Sequence, residues 1–265
     1  MPTPRPDLEP DGSLSREEME SLQHEIADAA VFEDQFAFDP AHLSNPLEAT
    51  TAGSSATEPP IVVGVDQSFL TNDAGEQDRA LSAVVAMRGG VVIERAHAVT
   101  SLEIPYIPGL LAFREGGPIL AALAELSVDP DLLVFDGSGR IHFRQAGIAT
   151  HVGVVLDVPS IGVAKSLLCG EPQGGLENRA VGTRVPIEAN ARVDAPDGTL
   201  LGYAVQTRQY DSPNRSINPL YVSPGHRVGP GTAADIVLEL ATSYKLPEPV
   251  RLADQYATDA KEPLE

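Results

Sequence analysis

Residues Asp131–Lys165 read DLLVFDGSGRIHFRQAGIATHVGVVLDVPSIGVAK. Leu132–Phe135 is a short apolar run of the kind that fills a buried strand, and it stops at an acid, Asp136, before Gly-Ser-Gly. Ile148–Val158 is apolar over a length that suits a helix. Ser160–Lys165 returns to an apolar, strand-like run and ends on a lysine. Strand, helix and strand in that order define an α/β layer. Upstream, Ile61–Phe69 (IVVGVDQSF) reads as another short strand, ending on a second acid, Asp66. Ala80–Thr100 reads as two strands joined through Arg88-Gly89-Gly90, a hairpin signal. Arg114–Leu126 is helical in pattern, Ala180–Ile187, Thr199–Gln209 and Pro219–His226 are strand-like, and Gly231–Lys245 is helical. A meander followed by alternating strands and helices predicts an α/β fold with a mixed central sheet flanked by helices.

Residues 1–58 form a different kind of segment. After an acidic, Pro/Gly-rich start, Ser15–Asp34 (SREEMESLQHEIADAAVFED) predicts a helix. Ser15 caps it, Glu18 closes a capping box, and Met19, Leu22, Ile26 and Ala29 or Ala30 form an apolar stripe. Pro46–Pro60 reads as a linker. The expected organisation is an acidic N-terminal segment over 1–58, a catalytic domain over 59–256 and an acidic tail over 257–265.

With 265 residues and 42% hydrophobic content the chain can bury a full core. No apolar run approaches the ~18 residues that a membrane span needs, so no membrane partner is expected. The N-terminus lacks the basic and apolar regions of a signal peptide, which points to the cytoplasm. A single cysteine, Cys169, excludes an internal disulfide and a multi-thiolate metal site. The net charge is −20, and the only lysines are Lys165, Lys245 and Lys261. Such an acidic surface ordinarily argues against a nucleic-acid partner. It also suits a halophile's cytoplasm, where at 1 M salt the Debye length is about 3 Å and distant carboxylates scarcely repel DNA. Only charges inside a site then decide what binds.

Four features carry chemistry. Asp66 and Asp136 end strands, where ligands of open α/β sheets bind, and Glu115 follows shortly after Pro105-Tyr106-Ile107-Pro108. Three converging carboxylates repel one another and raise at least one pKa unless a hard divalent cation joins them. The alternative is three unrelated surface acids in a chain with 38 Asp and Glu. Lys165 follows an apolar strand, and His226 follows another on a Pro-Gly turn. A lysine there can stabilise charge on a phosphoryl group, and a histidine can hold water. The two prolines stiffen Tyr106 and Ile107 into a short extended finger. The plain alternative for the finger is a turn whose tyrosine packs on a neighbouring surface.

The segments GVDQSF, PYIPGLLAFREG, the DGSG-to-AKSLLCGEP block, INPLYVSPGHRV and LPEPVRLAD, in this order, resemble the endonuclease V family from about Ile61 to Ala253. The resemblance implies a ribonuclease H-like fold and a DNA repair endonuclease acting on deoxyinosine, the product of adenine deamination. It implies hydrolysis of the second phosphodiester bond 3′ to the lesion, leaving 3′-hydroxyl and 5′-phosphate. It implies Mg²⁺ as cofactor, with Mn²⁺ as a substitute, held directly by Asp66 and Asp136 and through water by Glu115 and His226. Lys165 matches the catalytic lysine and Tyr106 the wedge, flanked by Pro105, Ile107 and Pro108. Gly109, Leu111, Gly137, Gly139 and Leu168 match the pocket for the flipped hypoxanthine, and His142 matches a histidine close to the metal. Ser138 and Phe143 depart from the usual His and Pro of the family. The partner implied is deoxyinosine-containing DNA, with inosine-containing RNA as a further candidate, and the chain is expected to be a monomer. The other readings are a nuclease of this fold acting on inosine RNA or branched DNA, and a module that binds inosine without cutting.

Overall fold

The computed structural model describes residues 3–44, 58–70, 78–211 and 215–264. Most of the linker read at Pro46–Pro60 lies outside them. The elements are α1 (Arg16–Ala29), β1 (Ile61–Leu70), β2 (Arg79–Arg88), β3 (Val91–Ser101), α2 (Leu111–Ala124), β4 (Leu132–Asp136), α3 (Ile148–Leu156) and β5 (Ser160–Ala164). There follow β6 (Glu171–Pro172), β7 (Arg184–Glu188), β8 (Leu200–Val205), β9 (Leu220–His226), α4 (Pro230–Leu240) and α5 (Glu248–Lys261). The strands form one sheet in the order β3-β2-β1-β4-β5-β9-β8-β7-β6. Its centre, β1, β4 and β5, is parallel, and antiparallel strands extend it on both sides. The predicted mixed sheet is therefore present.

Local chemistry explains several elements directly. Ser15 accepts the Glu18 N–H while the Glu18 side chain accepts the Ser15 N–H, so α1 begins at a complete capping box. The β2–β3 hairpin turns through Gly89 and Gly90, both at positive φ, as a two-residue turn with right-handed strand twist requires. Alternation along the central strands sorts side chains between two layers. Val62, Leu132, Val134, Ile161 and Val163 face α4 and α5, while Val63, Val65, Leu133 and Phe135 face α2 and α3. Helix α1 lies outside α3, where Ile26 meets Val154 and Val155.

The structure corrects three sequence readings. Asp66 does not end β1, which runs four residues further to Leu70. What ends beside it is the parallel partner, because β4 pairs only as far as Val65 with Phe135. The Pro-Gly pair before His226 is not a turn: Pro224 and Gly225 lie within β9, past the last residue that β8 pairs, where a missing N–H costs no ladder bond. The third is an omission. Residues 248–261 form one helix with Val250, Ala253 and Ala257 buried, so the boundary drawn between 256 and 257 falls inside it.

Candidate active site

The even–odd alternation that builds the core also builds the site. Asp66 continues the series of Val62, and Asp136 continues Leu132 and Val134, so both carboxylates project to the α5 side where the parallel pair ends. Lys165 continues Ile161 and Val163 onto the same side. Its ammonium donates to Asp136 Oδ2 at 2.6 Å. Helix α5 lies close over β1 because Gly64 carries no side chain: a Cβ there would stand 2.1 Å from the Pro249 carbonyl. That closeness brings Asp254 of α5 near enough to act electrostatically on both Asp66 and Lys165. Glu115 arrives from the other layer, on the second turn of α2, beside Gln67, whose amide donates to the Glu115 carbonyl at 3.0 Å. Asp66, Glu115 and Asp136 line one cavity with Phe69, Phe135 and Ile148.

The electrostatics are those of acids held together against their preference. Burial, then the charges of Asp136 and Asp254, push Asp66 up to about 7. Burial pushes Glu115 up to about 7 as well; Arg114 opposes this and Asp66 adds to it. For Lys165 burial favours the neutral amine, but Asp136, Asp66 and Asp254 outweigh it and raise its pKa. Among the described residues no three carboxylate, imidazole or thiolate groups close into a cage around an ion. Asp66, Glu115 and Asp136 instead face the open cavity.

The finger sits directly on this machinery. Ile107-Pro108-Gly109-Leu110 is a β-turn closed by Leu110 N–H to the Ile107 carbonyl at 3.0 Å, with Gly109 at φ +83°. Pro and Gly take the two central positions that a type II turn demands. Ile107 packs toward Met19, Leu110 and Phe113. Tyr106 remains 63% exposed, so it does not pack on a neighbouring surface as the plain reading of the finger required. Leu111 opens α2, the helix that carries Glu115.

The remaining residues named from sequence fall at three places. Gly137 and Gly139 lie in the loop after β4, at the same sheet edge as Asp136. Gly139 is pinned there: its N–H donates to Ser223 Oγ at 3.0 Å, and a Cβ would stand 2.2 Å from the Pro224 carbonyl. Leu168 is in the loop after β5 and is half-buried. His142 is buried under the finger and bonds the Gly109 carbonyl at 3.1 Å; burial holds it at about 4, as neutral imidazole. His226 is not brought to the acids. It pairs with Ser160 at the start of β5, three residues below the level of Asp136 and two strands away. Its ring receives the Val31 N–H at 3.2 Å and meets Asp157 at 3.1 Å, tying the segment after α1 to the end of α3.

A mixed sheet with a parallel centre and helices on both faces is a ribonuclease H-like fold. The family model for Endonuclease V matches residues 43–255. An Endonuclease V of the halophilic archaeon Haloarcula marismortui is 58% identical over 271 residues, covering 98% of each chain. The crystal structure of the Streptomyces avermitilis Endonuclease V superposes with a TM-score of 0.72 at 31% identity, over 95% of each chain. That of Ciona intestinalis Endonuclease V, in complex with a 24mer DNA containing an inosine followed by a ribo-adenosine, shares the fold at TM-score 0.68 and 24% identity, covering 94% of this chain and 98% of that one. The chain belongs to the endonuclease V family and is an endonuclease.

Sequence reading missed Asp254. It lies within LPEPVRLAD, a segment that resembles the family, but nothing local distinguishes it from the other 37 acidic residues; only the packing of α5 on Gly64 singles it out.

Proposed function

We propose that this endonuclease cuts DNA at deoxyinosine, hydrolysing the second phosphodiester bond 3′ to the lesion to leave 3′-hydroxyl and 5′-phosphate. The observation that carries this reading is the continuity of finger and site. An exposed tyrosine on a stiff turn runs without a break into the helix that delivers Glu115 to the acid cavity. Such a finger fills the gap left when a damaged base leaves the stack, at a fixed offset from the acids. Reading the base in one place and cutting further along the backbone follows from that offset.

The all-oxygen donor set suits Mg²⁺, with Mn²⁺ as a substitute. Asp66 and Asp136 would hold it, with Asp254 and Glu115 nearby; when bound, such an ion polarises the phosphate and activates water. Glu115, with its pKa near 7, can hold or release a proton at the cavity wall in the physiological range. Lys165 Nζ offers a charged donor to a phosphate oxygen once substrate competes for its bond to Asp136. The second lysine, Lys245, lies near enough that the Lys165 charge lowers its pKa further after burial. Arg251 stacks 4.5 Å over the exposed ring of Tyr244 on the preceding loop. Lys165 and Lys245 thus stand near each other in a chain of net charge −20, two cations that a phosphate backbone can use, while Arg251 is paired with Glu248. We assign His226 to holding the N-terminal segment rather than to the reaction.

The test compares cleavage of inosine-containing duplex DNA, inosine-containing RNA and four-way DNA junctions, each with Mg²⁺ and high KCl. Preferential cutting of inosine-DNA supports the proposal. Preferential cutting of RNA or of junctions, or binding of inosine-DNA without cutting, overturns it.

A further inference from the structure

We infer that Gln23, on the N-terminal helix and outside the segment that defines the family, is a positioning residue for the Tyr106 finger, and so sets how well the enzyme extracts a base from a duplex. The inference rests on the proposal that Tyr106 fills the gap left by a flipped base.

Gln23 is fully buried, and both ends of its amide are used. Its Nε2 donates to the Gly109 carbonyl at 2.9 Å, and its Oε1 accepts from Arg144 Nε at 2.7 Å. Gly109 is the positive-φ residue of the turn that ends the finger. The same carbonyl meets His142 Nε2 at 3.1 Å. Because a carbonyl only accepts, His142 must carry its proton on Nε2, leaving Nδ1 to accept the Arg144 N–H at 3.2 Å. Two donors from different elements therefore converge on one peptide oxygen. One comes from α1 and the other from the loop after β4 that also carries Gly137 and Gly139.

Around this polar clamp, α1 supplies an apolar bed. Met19 and Leu22 pack with Leu110 and Phe113, and with Ile104 and Ile107 from either side of the finger's first proline and tyrosine. The outer edge is tied by Arg144 to Glu20 at 3.5 Å. None of these side chains lines the acid cavity, so Gln23 acts on it only through the turn and the start of α2. The finger matters only where a base must be pulled from a stack. In a single strand that cost is largely absent.

The experiment measures kcat/KM on one inosine placed in a duplex and in a single strand, for the full chain and for Gln23→Met, Tyr106→Ala and the double variant. Thermal midpoints show that each variant is folded. Gln23→Glu serves as the second probe: it keeps an acceptor for Arg144 but loses the donor to Gly109. Both Gln23 variants are expected to lower the duplex-to-single-strand ratio about five- to ten-fold, the scale of coupling within one hydrogen-bond network. In the Tyr106→Ala background the Gln23→Met change should lower it no further. An unchanged ratio, or an equal further loss in that background, overturns the inference while leaving the wedge intact. If Tyr106→Ala alone left the ratio at the wild-type value, the wedge reading would fall and the role of Gln23 with it.

Discussion

Asp66 and Glu115 show most directly how the fold uses stability for function. Each is half-buried near another acid and pushed up to about 7, well above the ordinary carboxylate range. A carboxyl whose folded pKa is raised contributes stability below its unfolded pKa and loses it as pH climbs through the folded value. Without divalent cation these two groups therefore weaken the fold between about pH 4 and pH 7 and above. His142 and His151, which burial holds near 4, act in the opposite sense between about pH 4 and 6.5. The clean comparison is therefore with Asp66→Asn. In EDTA the advantage of that variant over wild type should grow by about 1–3 kcal/mol between pH 5 and pH 8, after discount for partial exposure. Each kcal/mol moves the thermal midpoint by about 2–4 °C in a chain of this size. A gap that stayed constant from pH 5 to 8 would show that Asp66 is not strained. At Asp136 the proposal is catalytic: Asp136→Asn should retain inosine-DNA binding and lose about 100-fold or more in cleavage. Near wild-type cutting in Mg²⁺ would remove Asp136 from the reaction. Both acids stood out in the sequence because each follows an apolar run, although only Asp136 ends its strand. Asp254 did not, and His226 lies away from the acids because β9 runs antiparallel to β5, which no local pattern reveals.

At the scale of elements, the sequence was readable wherever one short-range rule decides. The capping box of α1, the Gly-Gly hairpin and the apolar β4–α3–β5 series all appear where their residues place them. Helix α5 escaped because it starts on Pro247, Glu248 and Pro249, and its buried positions are mostly small residues; tertiary packing makes it a helix of the core. Its seat is Gly64. Gly64→Ala would drive a methyl group into the backbone of Pro249 and Val250, which cannot yield as a side-chain tip can. We expect about 3 kcal/mol or more of destabilisation, read by urea titration, and lost activity as Asp254 moves away from Asp66. A variant of wild-type stability would mean that α5 docks more loosely than described.

For the whole molecule the decisive quantity is the net charge of −20. An ordinary DNA-binding protein loses affinity steeply as salt rises. Here salt also screens a surface that repels both DNA and itself. The Haloarcula relative fits a chain built for that condition. Cleavage should rise with KCl from low concentration and persist at or above about 1 M, where the Debye length is near 3 Å. Circular dichroism at each step separates folding from screened binding. Full folding with maximal activity at about 0.05 M KCl, and steady loss above it, would leave the acidity without a physical reason.

The most direct measurement uses a duplex with a single deoxyinosine, labelled at the 5′ end of that strand, incubated with the full chain, Mg²⁺ and high KCl. The products are sized on a denaturing gel beside a ladder of 3′-hydroxyl ends. One product should appear, ending in a 3′-hydroxyl one nucleotide beyond the intact inosine, with no cut in the matched undamaged duplex. Release of hypoxanthine, a break directly at the lesion, or equal cutting of undamaged DNA would contradict an enzyme that reads the base with its finger and cuts at the acids.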